Sequence, residues 1–454
     1  MKCLKFTYLI FMLIAADGFS KDSDFYAMGR QLLGEMVEIE STEAKGLATD
    51  VSEYAASFLL EHGFQSDDLQ VAGPTEISKG LYAVYRGSSQ ERSTIVMAHI
   101  DVVPAVEESW ISDPFMMTEI EGFLHGRGTA DNKGGAAGLI ATFIKLRSEN
   151  FVPKNDIIML LTGDEETGMQ SIRYFRENFD DVKKAAFALN SDGGFIAGTM
   201  ESPEAFRLQS AEKVYLSYAL TAENKGGHSS IPRDDNAIYD LVDALKRIEK
   251  YSFPISLNQT TRATLEFALN DATDSNANKI NSILDETGSE LKLLKTDPEM
   301  NAMIKTTCVA TKITGGHAEN ALPVSASATV NCRILPQSDP NEVFKKIKEL
   351  AGNKVSVSPI SEAQFSPPSP ITDEILKLVS SSIDTSFPSL PIVPTMSTGA
   401  TDAIELRSNG IPVYGTSAMM TDPTGFRAHG LDERVEISAF NASLDFWYAL
   451  MEQL

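Results

Sequence analysis

The chain has 454 residues and a formal net charge of −24, with 63 acidic side chains against 39 lysines and arginines. No cluster of lysine and arginine interrupts this negative charge, which argues against nucleic acid and anionic membrane surfaces as partners. A chain of this length exceeds what one hydrophobic core usually serves, so two domains are expected.

The first 20 residues have the pattern of a secretory signal peptide. Two lysines precede an apolar run from Phe6 to Ala16, and small residues follow the run. The run has about half the length that a membrane-spanning helix requires, and no later segment is long and apolar enough to serve as a membrane anchor. We therefore expect residues 1–20 to be removed and the mature protein to be secreted or periplasmic, without a membrane anchor.

Helical and strand patterns alternate from residue 23 to about residue 198. The spacing of apolar residues predicts helices at 24–39, 50–61 and 134–148, and short apolar runs predict strands at 81–85, 94–98, 157–161 and 185–189. This alternation predicts the α/β class, with a mostly parallel sheet and helices on both of its faces. In such sheets, ligands bind beyond the carboxyl ends of the strands.

The strand predicted at 94–98 runs into a histidine and an aspartate two residues apart, His99 and Asp101. Because strand side chains alternate between faces, the two lie on the same face. Asp101 can then accept the proton of one imidazole nitrogen and leave the other nitrogen free for a metal. An aspartate that caps a turn is the plainer alternative for such a pair.

Carboxylates follow the other predicted strand ends. The next strand runs into Asp164, Glu165 and Glu166, which would repel one another unless a cation neutralised them. The last strand leads to Asp192, and Asp131 lies in a glycine-rich turn before a helix. A solvated acidic loop would explain any one of these segments alone. Together they bring imidazole and carboxylate to one sheet edge, a ligand set that suits zinc, with cobalt or manganese as substitutes.

The pattern changes after Asp192 to that of an inserted α+β unit. The predicted elements are a strand at 214–221, a helix at 237–250, strands at 306–313 and 326–335, a helix at 340–350 and a strand at 354–359. The segment 255–305 is predicted to contain helices, without further detail. The proline-rich stretch 366–370 is predicted to be the linker that returns to the first domain.

Two cysteines remain after signal-peptide removal, Cys308 and Cys332. They lie on predicted strands that flank the 315–323 loop, and they come nearly opposite each other if those strands pair antiparallel. An exported protein retains disulfides, so a bridge is predicted, with two buried free thiols as the alternative. The sequence has no CxxC spacing, which argues against a structural zinc site.

The order of these motifs resembles the co-catalytic di-zinc exopeptidase family, which includes glutamate carboxypeptidase, aminoacylase and succinyl-diaminopimelate desuccinylase. The resemblance is carried by MAHIDVVP, GRGTADNKGG, TGDEETG, NSDGG, GGHSS and a late FRAHG, across nearly the whole mature chain. It implies two zinc ions per chain. One would be held by His99, Asp131 and Asp192, and the other by Asp131, Glu166 and His429.

The resemblance also implies roles beyond the metal ligands. Glu165 would be the general base and acid, and Asp101 the partner of His99. His228, in GGHSS, would supply a hydrogen-bond donor to the oxyanion from a second domain, often in the active site of a partner subunit, so a homodimer is expected. The plainer alternative for His228 is a loop histidine that caps the helix beginning near residue 234.

The insertion, residues 211–364, is implied to be a lid and dimerisation domain between two catalytic segments, 21–210 and 365–454. Asn320 and Arg333, in this insertion, are candidates for holding a substrate carboxylate. The loop 397–402 is a further candidate, and it departs from the family's commoner double-glycine version. The role of His317 is ambiguous. His62 and His125 are predicted to be structural.

These features predict an exported zinc metallopeptidase, carboxypeptidase-like or dipeptidase-like, that hydrolyses amide bonds of small peptides or N-acyl amino acids. An aminoacylase or deacylase on the same scaffold is the alternative. A non-catalytic binding protein of this fold is a third hypothesis, and the complete ligand set together with Glu165 argues against it. The sequence has no GxSxG elbow and no free cysteine beside a histidine, which argues against a hydrolase without a metal.

Overall fold

A computed structural model describes residues 18–270, 272–285, 297–362, 364–425 and 427–454. Residues 1–17, which form most of the predicted signal peptide, lie outside these ranges. The helices are α1 (Gly18–Glu38), α2 (Ala48–Glu61), α3 (Lys133–Ser148), α4 (Gln170–Asn178), α5 (Asp180–Lys183), α6 (Ala237–Lys250), α7 (Gln259–Ala268), α8 (Asp274–Leu284), α9 (Pro298–Ile304), α10 (Pro340–Ala351), α11 (Asp373–Ile383), α12 (Ala403–Arg407) and α13 (Ile437–Met451). Among the described helices, none has the length and apolar character needed to cross a bilayer.

The strands form four sheets of different size. They are β1 (Leu69–Ala72), β2 (Gly80–Tyr85), β3 (Ser89–His99), β4 (Thr118–Ile120), β5 (Phe123–His125), β6 (Asn155–Thr162), β7 (Ala188–Asn190), β8 (Phe195–Gly198), β9 (Pro203–Glu212), β10 (Val214–Glu223), β11 (Gly227–His228), β12 (Thr307–Gly315), β13 (Ala321–Leu322), β14 (Ser325–Ile334), β15 (Val355–Pro359), β16 (Ile392–Ser397), β17 (Val413–Gly415) and β18 (Arg434–Glu436). The two largest sheets have nine and four strands, and the smaller ones, β18-β5-β4 and β11-β13, have three and two.

The nine-stranded sheet has the order β1-β2-β6-β3-β7-β17-β9-β16, with β8 paired to β9. Its central strands β6, β3, β7 and β17 are parallel neighbours, while β1, β2 and β8 pair antiparallel. Parallel neighbours place their carboxyl ends at one edge of the sheet, and chain segments that follow these strands therefore meet there.

Side chains of the central strands alternate between two hydrophobic clusters. On β6, Ile157, Met159 and Leu161 belong to the cluster that includes α1, α2, α3, α11 and α13. Ile158 and Leu160 belong to the cluster on the other face, with α4, α5 and α12. Burial on both faces explains why these strands are continuous apolar runs in the sequence. The predicted α/β class, with helices on both faces of the sheet, is confirmed.

The four-stranded antiparallel sheet has the order β12-β14-β10-β15 and its own hydrophobic cluster. Helices α6 and α10 pack on it, and α6 contributes Leu241, Ala244 and Ile248 at helical spacing. Asn236 caps α6 by accepting a hydrogen bond from the Ile238 N–H at 2.9 Å. The elements of this sheet begin and end within a few residues of the predicted positions.

The segment 255–305 contains α7, α8 and α9, which form a small separate cluster around Leu265, Ile283 and Ile304. Its link to the nine-stranded sheet includes a hydrogen bond from Thr264 Oγ1 to the Pro394 carbonyl at 2.7 Å. Helices are present, as predicted, and they are short. Their apolar positions are too few for the sequence pattern to give their bounds.

Cys308 on β12 and Cys332 on β14 lie directly opposite each other and form a disulfide, as predicted. The two residues are 24 positions apart, so the bridge closes a moderately long loop. In the chain-entropy account, closing such a loop stabilises the folded state by about 3 kcal/mol because it restricts the unfolded chain.

We expect thiol titration of the unreduced, denatured mature protein to find no free thiol. After reduction, titration should find two. The double variant Cys308→Ala/Cys332→Ala should lose about 3 kcal/mol of unfolding free energy, whereas reduction of this variant should change nothing further. Two titratable thiols in the unreduced protein would rule the bridge out.

Candidate metal centre

The candidate site lies where three parallel strands end. His99 is the last residue of β3 and pairs with Thr162, the last residue of β6. On the other side of β3, Met97 pairs with Asn190, the last residue of β7. This register brings the segments that follow β3, β6 and β7 together, and these segments carry Asp101, the acidic run 164–166 and Asp192.

A first group of side chains gathers around the buried imidazole of His99, which is 2% exposed. His99 Nε2 lies 2.8 Å from Asp131 Oδ1 and 3.9 Å from Asp192 Oδ2. Glu165 also belongs here, because its carboxylate, that of Asp192 and the imidazole come within 4.8 Å of one another. Distance alone therefore does not separate a metal ligand from a base at Glu165.

A second group meets at the other oxygen of the same aspartate. His429 Nε2 lies 2.9 Å from Glu166 Oε1 and 3.2 Å from Asp131 Oδ2. Asp131 thus directs one carboxylate oxygen at each histidine. The structure brings together all five residues to which the family resemblance assigns metal ligation: His99, Asp131, Glu166, Asp192 and His429.

The donor set fits divalent cations. Two ligands held about 2.0–2.2 Å from one tetrahedral ion lie about 3.3 Å apart. The four distances between ligand atoms, 2.8 and 3.9 Å in the first group and 2.9 and 3.2 Å in the second, lie close to that value. In the described part of the chain, the carboxylates of Asp131, Glu166 and Asp192 form ion pairs with these histidines and with no lysine or arginine. Partly buried carboxylates packed this closely need positive charge from elsewhere.

The pKa values of these groups also indicate that the cluster needs bound positive charge. Burial raises the pKa of Asp192 to about 7. Burial, with the nearby charge of Asp192, holds the pKa of Glu165 well above its usual range. Hydrogen bonds to Asp131 and Glu166 raise the pKa of His429 to about 10. Without bound cations the cluster therefore retains protons that ligation would displace.

We expect the affinity of the cluster for zinc to rise with pH through about 7. Below that pH, both Asp192 and His429 carry a proton that zinc must displace. Above it, Asp192 has lost its proton, and only His429 still releases one when zinc binds. Each released proton changes the affinity about tenfold per pH unit, so the dependence should be steeper below pH 7 than above it. Competition titrations with a chromogenic chelator on both sides of pH 7 measure this, and an affinity independent of pH would contradict it.

Asp101 orients both the His99 imidazole and the acidic run 164–166. The His99 Nδ1–H donates to the Asp101 carbonyl at 3.0 Å, which leaves Nε2 free to ligate, and the Asp101 carboxylate is 3.5 Å from the same nitrogen. That carboxylate also accepts the backbone N–H groups of Glu165 at 3.1 Å and Glu166 at 3.0 Å. Asp101 therefore fixes the imidazole and both glutamates relative to one another.

Several residues that support the centre were not identified from the sequence. Asn132 donates from Nδ2 to the Ser191 carbonyl at 3.1 Å and accepts from Ser191 Oγ at 2.5 Å, which joins the loops that carry Asp131 and Asp192. Glu433 and Arg127 are buried beside the Asp131 loop. Arg127 and Asn132 lie within the GRGTADNKGG motif and Glu433 follows the FRAHG motif, but a polar residue in a loop gives no sign in a single sequence that it is buried.

Among the described residues, no hydrogen bond or ion pair links His228 to the cluster of its own chain. His228 is exposed on β11, which pairs with β13 next to Asn320, and the Asn320 carbonyl accepts the Ser229 N–H at 3.0 Å. In the described residues, the ring hydrogen-bonds Ser230, whose backbone N–H donates to Nδ1 at 3.2 Å. An Nδ1 that accepts leaves the hydrogen on Nε2, so Nε2 is a donor.

The remaining candidate residues have different surroundings, and among them Asp402 interacts electrostatically with Glu165 and His99. Arg333, on β14, stacks its guanidinium over the Tyr215 ring at 4.6 Å from the centroid. His317 is exposed in the loop before β13, and the His62 Nδ1–H donates to the Phe58 carbonyl at 2.8 Å at the end of α2. His125 is buried on β5. In the 397–402 loop, Asp402 is buried and accepts from Thr162 Oγ1 at 2.5 Å, at the end of β6.

Comparison with known proteins gives a consistent result. Residues 95–453 match the model of peptidase family M20/M25/M40. The chain is 29% identical over 388 residues to the human N-fatty-acyl-amino acid synthase/hydrolase PM20D1, covering 82% of this chain and 76% of that protein. It is 26% identical over 434 residues to a probable carboxypeptidase S-like 2 of Dictyostelium discoideum, covering 90% and 81%. An M20 family metallo-carboxypeptidase of Sulfolobus solfataricus has the same fold, with a TM-score of 0.71 at 19% identity over 94% of this chain and 98% of that one.

Proposed function

This chain belongs to peptidase family M20/M25/M40, and on that premise we propose that it is a two-zinc hydrolase of small peptides or N-acyl amino acids. One observation carries the proposal. Asp131 presents Oδ1 at 2.8 Å from one histidine and Oδ2 at 3.2 Å from another, as a carboxylate that bridges two ions would. His99 and Asp192 complete the first proposed ligand set, and Glu166 and His429 complete the second.

Two bound zinc ions would lower the pKa of a water toward neutrality and polarise the scissile carbonyl. Glu165 would take the proton from that water and later transfer it to the leaving amine. Burial and the charge of Asp192 raise the pKa of Glu165, and a raised pKa makes its carboxylate a better acceptor for the proton of the water. Asp101 contributes by holding the Glu165 backbone and the His99 ring in place.

We assign the oxyanion donor to His228 and the recognition of a substrate carboxylate to Asn320 and Arg333. His228 is exposed, and because its Nδ1 accepts the Ser230 N–H, its Nε2 can donate. Arg333 forms no ion pair with a carboxylate in the described part of the chain, so its charge is available to a ligand. N-acyl amino acids and the carboxyl-terminal residues of peptides both present a carboxylate close to the scissile amide.

We further propose that residues 211–364 are a lid and dimerisation domain. The edge strand β12 of the four-stranded sheet exposes Val309 by 58% and Ile313 by 60%, and an edge of this kind readily pairs with another chain. A homodimer built on this edge would allow His228 to act in the partner's site. Export through the signal peptide at residues 1–20 completes the proposal and agrees with the disulfide.

Two activities remain open within the proposal. Similarity to a protein named as an N-fatty-acyl-amino acid synthase/hydrolase favours a deacylase, and similarity to a probable carboxypeptidase favours a peptidase. Hydrolysis of a panel of N-acyl amino acids, dipeptides and tripeptides by the zinc-loaded protein separates them. Each substrate should be paired with its carboxyl-terminal amide, which the protein should cleave more slowly if a substrate carboxylate is bound. A panel in which no amide bond is cleaved would overturn the proposed function.

A further inference from the structure

Glu433 is fully buried, although it is neither a candidate ligand nor a candidate base. Its Oε1 accepts three backbone N–H groups of one loop, from Gly128 at 3.1 Å, Ala130 at 2.9 Å and Asp131 at 3.0 Å. The loop therefore wraps around one oxygen of the Glu433 carboxylate. One of the three donors is Asp131, whose own carboxylate is directed at both His99 and His429.

Arg127 provides the other half of the arrangement. Its Nη1 donates to Glu433 Oε2 at 2.6 Å, and its Nη2 donates to the carbonyl of Gly430, the residue after His429, at 3.0 Å. Nη2 also lies 3.4 Å from the Pro104 carbonyl, in the segment that follows Asp101. The Arg127 and Glu433 pair thus touches three segments, each of which carries a residue of the candidate centre.

A buried ion pair is on average a weak source of stability, because desolvation of both charges offsets their attraction. The contacts of this pair nevertheless concentrate on loops whose relative position sets the distance from Asp131 to His429. Charge-assisted hydrogen bonds from consecutive N–H groups hold a loop in one conformation. Outer groups that hold ligand side chains in place typically contribute 10-fold to 100-fold to metal affinity.

We propose that Glu433, together with Arg127, is a positioning residue that sets the separation of the Asp131 and His429 loops and thereby the affinity of the metal centre. The inference rests on the proposed two-zinc function. It assigns to Glu433 no contact with substrate and no proton transfer. Its effect on catalysis would come through the geometry of Asp131.

The test measures zinc dissociation constants by chelator competition, together with the thermal midpoint of the metal-free protein, for the parent and for variants. Glu433→Gln keeps the shape and a neutral acceptor but loses the charge, and Glu433→Ala removes both. The matched control is Asp156→Asn, because Asp156 is 8% exposed and accepts the Gly87 N–H at 2.8 Å and Arg86 Nη1 at 2.9 Å. Asp156 lies near the start of β6, at the opposite end of that strand from the acidic run.

Glu433→Gln should weaken zinc binding by about 10-fold to 100-fold, while Asp156→Asn should leave it within about twofold of the parent even where both lower the thermal midpoint. If Glu433→Ala does not fold, Glu433→Gln decides the matter. Parent-like zinc affinity in Glu433→Gln would overturn the inference and leave Glu433 a purely structural residue. A parent protein that binds no zinc would overturn the proposed function and this inference with it, and the parent measurement alone identifies that case.

Discussion

Replacement of Glu165 by glutamine should lower kcat by about a thousandfold or more while two zinc ions remain bound per chain. Proton transfer by a positioned side chain contributes roughly 10²–10⁴-fold, and the amide cannot accept the proton of the attacking water. The backbone of Glu165 should stay in place because Asp101 accepts its N–H. Substrate affinity should change little, since the lost interaction belongs to the chemical step.

The neighbouring residue provides the matched control for Glu165. Glu166 is 2.9 Å from His429, so Glu166→Gln should lower metal content or affinity, and its activity should recover in part with excess zinc. Activity measurements combined with elemental analysis distinguish the two variants. If Glu165→Gln lost zinc together with activity, or kept its activity, the assignment of base and ligand would be wrong.

Replacement of His228 by alanine should lower kcat by about 10²–10³-fold, the usual effect of removing one oxyanion donor. The exposed position of His228, away from the cluster of its own chain, fits a donor that reaches the active site of a partner. His62 is exposed at the end of α2, and the variant His62→Ala serves as a control that should leave kcat unchanged.

Donation between subunits can be tested by mixing His228→Ala with Glu165→Ala under conditions that allow subunit exchange. In a heterodimer, one site combines an intact Glu165 with an intact His228 from the other chain. With statistical exchange and two-fold symmetry, about a quarter of the parent activity should return. Confirmed heterodimers without recovered activity would exclude donation between subunits, and full activity of His228→Ala alone would exclude any catalytic role.

The fold could be predicted from the sequence where burial leaves a periodic pattern. Strands such as β6, buried on both faces, are continuous apolar runs, and α6 shows one apolar stripe, so both were predicted close to their observed bounds. The helices α7 to α9 gave no such pattern, because only a few of their side chains are buried in a small cluster. The family membership predicted from the order of the motifs is confirmed.

The candidate site shows a different limit. Histidine and carboxylates at successive strand ends indicate a metal centre, but the sequence alone could not distinguish Glu165 from Glu166, and their distances do not separate the roles fully either. Glu433 follows the RAHG motif closely in the chain, yet its burial results from a contact with a loop about 300 residues earlier. No local pattern records a contact of that kind.

We propose that two zinc ions, held by His99, Asp131, Glu166, Asp192 and His429, make this chain an amide hydrolase. Titration of the metal-free protein with zinc, with hydrolysis of the best substrate of the panel followed at each step, tests it most directly. We expect no turnover without metal and full activity at two zinc ions per chain, lost again on chelation. Undiminished hydrolysis by the metal-free protein, or no amide hydrolysis with both zinc ions bound, would contradict it.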